Sequence, residues 1–160
     1  MRNDPTRLAE LRRRLILDSS AERAYDDIVQ MLAKGLQVPM TMVNVLDEQR
    51  DWYKAQIGLP FNESPAATSF CEAFFDTEDD LIVVEDTFED RRFAVHPFVI
   101  GAPFIRFYAA ARLRVDGQTL GTLCAYDFRP RVLVPEQLRQ VQALAAAAAE
   151  LLGRRGSPMQ

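Results

Sequence analysis

Little of what builds the common active sites is present in this chain. Its 160 residues hold two cysteines, Cys71 and Cys124, and one histidine, His96. Structural zinc asks for four Cys or His ligands at C-x-x-C or H-x-x-x-H spacing, and neither spacing occurs, so no metal centre is expected. The seven glycines fall into no G-x-x-x-x-G-K-[ST], G-x-G-x-x-G or G-x-S-x-G pattern. This removes the phosphate-cradling loops and the serine nucleophile elbow. Lysine is scarce: Lys34 and Lys54 are the only two, and arginine supplies the rest of the 19 basic residues against 23 acidic ones. A formal charge of −4 argues against a nucleic-acid partner. The longest apolar run, 141–149, is broken by Gln142 and falls far short of the roughly 20 residues a membrane span needs. The opening MRNDPTRLAEL has no apolar export segment. The expected setting is therefore the cytoplasm, with neither a disulfide nor a membrane contact.

What is present is ordinary globular material, 48 % hydrophobic and 26 % charged, enough for one domain over 1–160. Its core is expected over about 5–152, with a flexible tail at 153–160. Asp4 and Pro5 are placed to cap and open a helix carrying Leu8, Leu11 and Leu15. Ser19 and Glu22 have capping-box spacing for a second helix with a Tyr25, Ile28, Val29, Leu32 stripe, ending near Gly35. The period then changes to two. Residues 41–46 (TMVNVL) and 52–57 (WYKAQI) read as a hairpin, where Trp52 is expected to pack on the sheet. Ser69 and Glu72 again suggest a cap, for a short helix at Phe70–Phe75. A strand at 81–85 leads into a long irregular segment, 86–107, holding five phenylalanines. Segments of this kind are usually functional, and this one reads as a lid or pocket wall.

Asp116-Gly117 between 108–115 and 118–127 is a type I′ hairpin signal. A two-residue turn pairs Val115 with Gln118, Leu113 with Leu120 and Ala109 with Cys124. Arg112 and Arg114 then fall on the opposite face, as solvated residues or partners for carboxylates. Pro135 opens a last helix whose Leu138, Val141, Ala145, Ala148 and Leu152 recur at near 3.5 spacing. Such a stripe reads as core-facing, but it also suits close helix–helix packing, and a homodimer through the terminal helices is expected.

Three stretches carry a resemblance: MTMVNVLDEQRDWYKAQIGL, SPAATSFCEAFF, and the segment from DTFEDRRFAVHPF through IRFYAAARLRVDGQTLGTLCAYDFRPR to the last helix. Together they resemble the GAF domain family, in the branch found N-terminal to bacterial diguanylate cyclases and histidine kinases. The resemblance covers roughly residues 5–152. It implies an α+β fold: a central antiparallel sheet with terminal helices on one face and a loop and short-helix layer enclosing a pocket on the other. It also implies a bacterial signalling role with a kinase or cyclase as output partner. Neither lysine follows an asparagine, which departs from the Asn-Lys motif of cyclic-nucleotide binders. Cys71 is followed by Glu72 and Cys124 by Ala125, unlike the Cys-His of bilin attachment. No cofactor is named by these residues.

Five residues are expected at a ligand site. Cys71, at the second position of the Ser69-capped helix, sits where the helix dipole favours a thiolate, although it also suits a small buried hydrophobe. Phe70, Phe93 and Tyr108 would line the pocket, or equally fill a core. Arg106, flanked by aromatics, would meet an anionic ligand group, or else pair with Asp86 or Asp90. The function expected is a non-catalytic small-molecule sensor module. The alternatives are a thiol redox enzyme or switch using Cys71, like the free methionine sulfoxide reductase branch, and a structural dimerisation module.

Overall fold

Local chemistry sets the element ends much as the sequence implies. In the computed structural model, which describes residues 1–156, the Asp4 carboxylate accepts from the Arg7 amide at 3.0 Å and Pro5 opens α1 (Pro5–Arg13). Leu8 and Leu11 are buried, but Leu15 lies past the helix end with φ 55° and is exposed. Ser19 does not cap α2 (Arg23–Leu36). The cap position is Glu22, and the Ser19 hydroxyl donates to the Ile16 carbonyl instead. Gln37, in the left-handed region, ends α2.

The strands are β1 (Met40–Leu46), β2 (Arg50–Ile57), β3 (Glu63–Pro65), β4 (Leu81–Val84), β5 (Phe107–Val115) and β6 (Gln118–Asp127). They form one antiparallel sheet in the order β3-β2-β1-β6-β5-β4. Strand β3 is a short edge strand. Two further helices complete the fold, the short α3 (Pro97–Ile100) and the long α4 (Pro135–Arg154). The short helix at Phe70–Phe75 is present as a 3₁₀ turn, with Ser69 Oγ accepting from the Cys71 amide at 3.1 Å. The fold is α+β, as expected.

Asp116 and Gly117 take φ 50° and 80°, the type I′ requirement, and Val115 pairs with Gln118. One step further the register slips. Arg114 faces Thr119 but Leu113 faces Gly121, leaving Leu120 as the extra residue of a β-bulge. Every pair beyond it moves by one, so Cys124 faces Ala110 and Ala109 faces Ala125. Because side chains alternate, this single residue puts Cys124 on the sheet face opposite Ala109, Leu113 and Leu120. The expected placing of Cys124 is corrected accordingly.

Helices α1, α2 and α4 cover one face, where Val43, Trp52, Phe107, Leu113, Leu123 and Leu152 belong to one core. Ala145, Ala148 and Leu152 are 5 %, 0 % and 0 % exposed within the single chain. The stripe expected to pair two copies is thus occupied by the chain's own sheet. Helix α4 also runs past Gly153, and the Arg155 guanidinium binds the Arg14 carbonyl at 3.0 Å and Glu22 at 2.8 Å. The tail expected from 153 is therefore ordered through 156, and 157–160 lie outside the described residues. No described helix is long and apolar enough to cross a membrane.

The second face carries the 3₁₀ turns and the segment 86–106. That segment is closed at its base: the Thr87 hydroxyl donates to Ile105 O at 2.7 Å, the Thr87 amide to Arg106 O at 3.1 Å, and Arg106 forks onto Asp86 at 3.0–3.2 Å. It is a pinched loop of the Ω kind.

Candidate functional site

Between the second sheet face, β3 and the pinched loop lies a cavity of about 640 Å³. Met42, Asn44, Asp51 and Tyr126 line it from the sheet, Thr68, Ser69 and Phe70 from the 3₁₀ turns, and Phe98 and Ile105 from the loop. Its mouth carries Phe61 and Phe128, both about half exposed. Six aromatic rings contribute: Tyr53, Phe61, Phe70, Phe98, Tyr126 and Phe128. The mostly apolar wall with a few convergent polar groups is the usual make-up of a small-molecule site.

Of the five residues expected there, Phe70 alone lines the cavity. The structure brings Cys71, Phe93 and Tyr108 together beside it, but as packing. Phe70 lies 5.1 Å from Phe93, 5.3 Å from Tyr108 and 5.4 Å from Tyr126, ring centre to ring centre, and Phe93 lies 5.5 Å from Tyr108. The space expected among these rings is filled by the rings themselves, and the cavity sits on the other side of Phe70. Arg106 is elsewhere, clamped on Asp86 with its guanidinium 3.8 Å above the exposed Phe88 ring. The bland alternative for Arg106 is what the fold uses.

Behind Phe70 runs a buried polar strip. Cys71 Sγ lies 3.4 Å from Cys124 Sγ, 3.0 Å from Thr122 Oγ1 and 3.1 Å from the Tyr108 hydroxyl. Burial opposes ionisation of Cys71, yet hydrogen bonds from Cys124, Thr122 and Tyr108 outweigh it and hold the thiol below its ordinary pKa. Burial and the neighbouring sulfur push Cys124 well above its own. Burial likewise raises the Tyr108 and Tyr126 phenols far above the usual value.

The strip continues into the cavity floor, which the sequence reading missed. Asn44 Nδ2 donates to Asp51 Oδ2 at 3.0 Å, the Ser69 hydroxyl donates to the same oxygen, and Arg2 brings Nη2 to 3.0 Å from Asp51 Oδ1. Asn44, Asp51 and the Arg2 side chain are 1 %, 3 % and 6 % exposed. Burial pushes the Asp51 carboxyl up, against the pull of Arg2, Ser69 and Asn44. The signal for Asn44 was in the sequence: it is an amide in the middle of the apolar run TMVNVL. Among the described residues no group of three or more His, Cys, Asp or Glu could hold a metal ion.

His96 does not reach the cavity but fastens its wall. Its Nδ1 accepts from the Phe98 amide at 3.0 Å, Nε2 donates to the Thr68 carbonyl at 3.1 Å, and the ring stacks on Phe70 at 4.2 Å. Those partners select the neutral Nε2–H tautomer. Partial burial lowers its pKa from the ordinary 6.5, only partly offset by the bond to Thr68. Below 6.5 the unfolded chain binds the extra proton first, so stability is full above 6.5 and declines as the pH falls toward the folded-state value. As the single imidazole, His96 is expected to titrate below 6.5 in a proton–carbon NMR experiment. A midpoint at or above 6.5 would contradict the latch geometry.

The six-stranded antiparallel sheet, with helices on one face and a loop-roofed cavity on the other, defines a GAF-type fold. The chain belongs to the GAF domain family, whose model matches residues 20–152. It is 37 % identical over 117 residues to the cyclic di-GMP phosphodiesterase PA2567 of Pseudomonas aeruginosa strain PAO1, covering 72 % of this chain and 20 % of that protein. The chain thus corresponds to about a fifth of the relative's length. Among solved structures it is similar to the GAF domain of the phosphoenolpyruvate-protein phosphotransferase of Acinetobacter, with a TM-score of 0.68, 19 % identity and 93 % of each chain covered. It is also similar to the blue-light absorbing form of the PixJ GAF domain of Thermosynechococcus elongatus, with a TM-score of 0.65, 19 % identity, and 92 % and 89 % of the two chains covered. At these identities the two structures share the fold.

Proposed function

We propose that this GAF domain is a non-catalytic, cytoplasmic sensor module that binds a small molecule in the 640 Å³ cavity and passes the occupancy to a bacterial signalling output. The observation that carries the reading is the cavity itself, open on one side of Phe70 while Phe93 and Tyr108 pack against the other. A route outward starts at its floor. Arg2 touches Asp51 with its guanidinium, and its carbonyl oxygen is held by Arg7 of α1 at 2.7–2.9 Å. A ligand that moves Asp51 therefore pulls on α1. The proposed output is a kinase, a cyclase or, by likeness to the Pseudomonas protein, a phosphodiesterase. Pairing of two copies through Ala145, Ala148 and Leu152 is not part of this reading, since those side chains are buried in their own chain.

The test is native mass spectrometry of the protein purified from its own host, followed by thermal shift with the molecule found. A ligand at a hundredfold excess over its Kd stabilises by about 2.7 kcal/mol. Met42→Trp, which projects an indole into the cavity, is expected to abolish both the adduct and the shift. Protein free of adducts, with melting unchanged across a metabolite panel, would leave the structural-module alternative in its place. The thiol alternative has one observation in its favour, the 3.4 Å contact between the two sulfurs. Against it, both cysteines are 0 % exposed, whereas reactive thiols are partly open to solvent.

A further inference from the structure

The cavity floor presents buried acceptors that the protein leaves without donors. Asn44 Oδ1 and Asp51 Oδ1 have no hydrogen-bond partner among the described residues. Arg2 Nη2 stands 3.0 Å from Asp51 Oδ1 but is not directed along a hydrogen bond, and it too is unpartnered. Buried acceptors of this kind are ordinarily satisfied, so each marks a place where a donor belongs.

The charged side chains that face into the cavity have one sign. Asp51 and Glu63 line it, and among the described residues no lysine, arginine or histidine does. The two guanidiniums nearby stand behind these acids and are already paired, Arg2 with Asp51 at 3.0 Å and Arg50 with Glu63 at 3.0 Å. Arg2 donates to Glu72 at 2.7 Å and to the Asp47 carbonyl at 2.8 Å, and Arg50 pairs with Asp18, Asp47 and Glu63. A ligand carboxylate or phosphate placed here would lose its hydration and meet an acid-lined wall with no free cation, an uncompensated desolvation. An N–H group or an ammonium would meet the opposite situation. Acceptors wait at the floor, and ring faces around the wall attract positive charge.

Resting on the reading of this cavity as a ligand site, we infer that it takes a planar, non-anionic ligand bearing N–H donors, such as an amine- or amidine-carrying aromatic ring, with those donors directed at Asn44 and Asp51. The flat shape follows from the six rings of the wall, and the end-on orientation from the polar groups being gathered at the floor.

Two matched series test it with the full chain: tryptamine, indole and indole-3-acetate, and benzamidine, benzamide and benzoate. Each series holds the ring nearly constant and varies the charge. By calorimetry, the cationic member is expected to bind at least about tenfold tighter than its acid, a difference large enough to separate a charge rule from ring fit. Met42→Trp should block it, which places binding in the cavity. Asp51→Asn, an isosteric change whose folding is checked by circular dichroism, should shrink the preference to within about threefold. An acid that binds as tightly as its amine or amidine, and is blocked by Met42→Trp, would overturn the charge rule while leaving the sensor reading intact. Failure of every member of both series to bind at a site blocked by Met42→Trp would count against both.

Discussion

Replacing Gly121 with valine is expected to unfold the domain. Gly121 pairs with Val45 in the central β1–β6 ladder, where a Cβ would stand 2.3 Å from the Asn44 carbonyl oxygen. That neighbour is backbone in the middle of a six-stranded sheet and cannot step aside without breaking the ladder. The expected loss is more than about 4 kcal/mol, in the exceptional range for single substitutions and a large part of the 5–15 kcal/mol that holds such a domain together. Urea denaturation followed by circular dichroism measures it. Gly117→Ala is the control: its φ of 80° is unfavourable for alanine, but nothing lies within 4 Å of the added atom. It should cost only about 1–2 kcal/mol of backbone strain. A Gly121 variant that unfolds cooperatively within about 1 kcal/mol of the parent would mean the strands do not approach as described.

The second large effect is at Arg112. The sequence reading places it on the sheet face opposite Leu113, either solvated or paired with a carboxylate, and the pairing, with Asp80, is what the structure shows. In the structure its side chain is 5 % exposed and its guanidinium is a five-bond hub. It donates to Asp80, to the Thr119 hydroxyl, and to the carbonyls of Phe74, Thr77 and Asp79, at 2.7–3.0 Å. These bonds tie down the end of the Phe70–Phe75 turn and the loop that follows. Arg112→Met keeps the stem and removes every donor, stranding the Phe74 carbonyl at the edge of the core. Asp80 is exposed and loses little, so the cost comes from the part-buried acceptors on Phe74, Thr77 and Thr119, about 2–3 kcal/mol in all. Arg112→Lys should recover less than half, because an ammonium cannot span five acceptors arranged for a planar fork. Hydrogen exchange should show residues 76–80 opening first. A stability change below about 1 kcal/mol for Arg112→Met would show the hub to be ornamental.

The elements visible in the sequence are those decided by neighbours in the chain. The Asp4 cap, the Ser69 cap, Pro135 and the Asp116-Gly117 turn each depend on a few adjacent residues, and each is present. The bulge at Leu120 was not visible, since TLGTL alternates acceptably in either register and the choice is made by packing against β1 and α4. Ser19 failed as a cap because its hydroxyl has better partners three residues back and on Lys54. The site fared worse for the same physical reason. Its floor joins residues 2, 44, 51 and 69 through tertiary contacts alone. Phe93 and Tyr108 were recognised as pocket-side aromatics, but filling a space and bordering it differ by a ring's thickness, which no spacing rule encodes. Arg112 carried the right alternation, while the loop that folds over it left no periodic trace.

The pinched base of the segment 86–106 has a consequence for how this module diversifies. Thr87, Asp86 and Arg106 close the loop on itself at the sheet rim, so the conformation of its interior is not handed on to β4 or β5. The stretch between is exchangeable only around its buried anchors, Phe93 and Val99, which belong to the core of the second face. Its exposed positions can drift, and with them the roof over the cavity. Grafting a foreign loop between residues 87 and 105 that keeps those two anchors is therefore a way to change what the domain recognises without redesigning the domain.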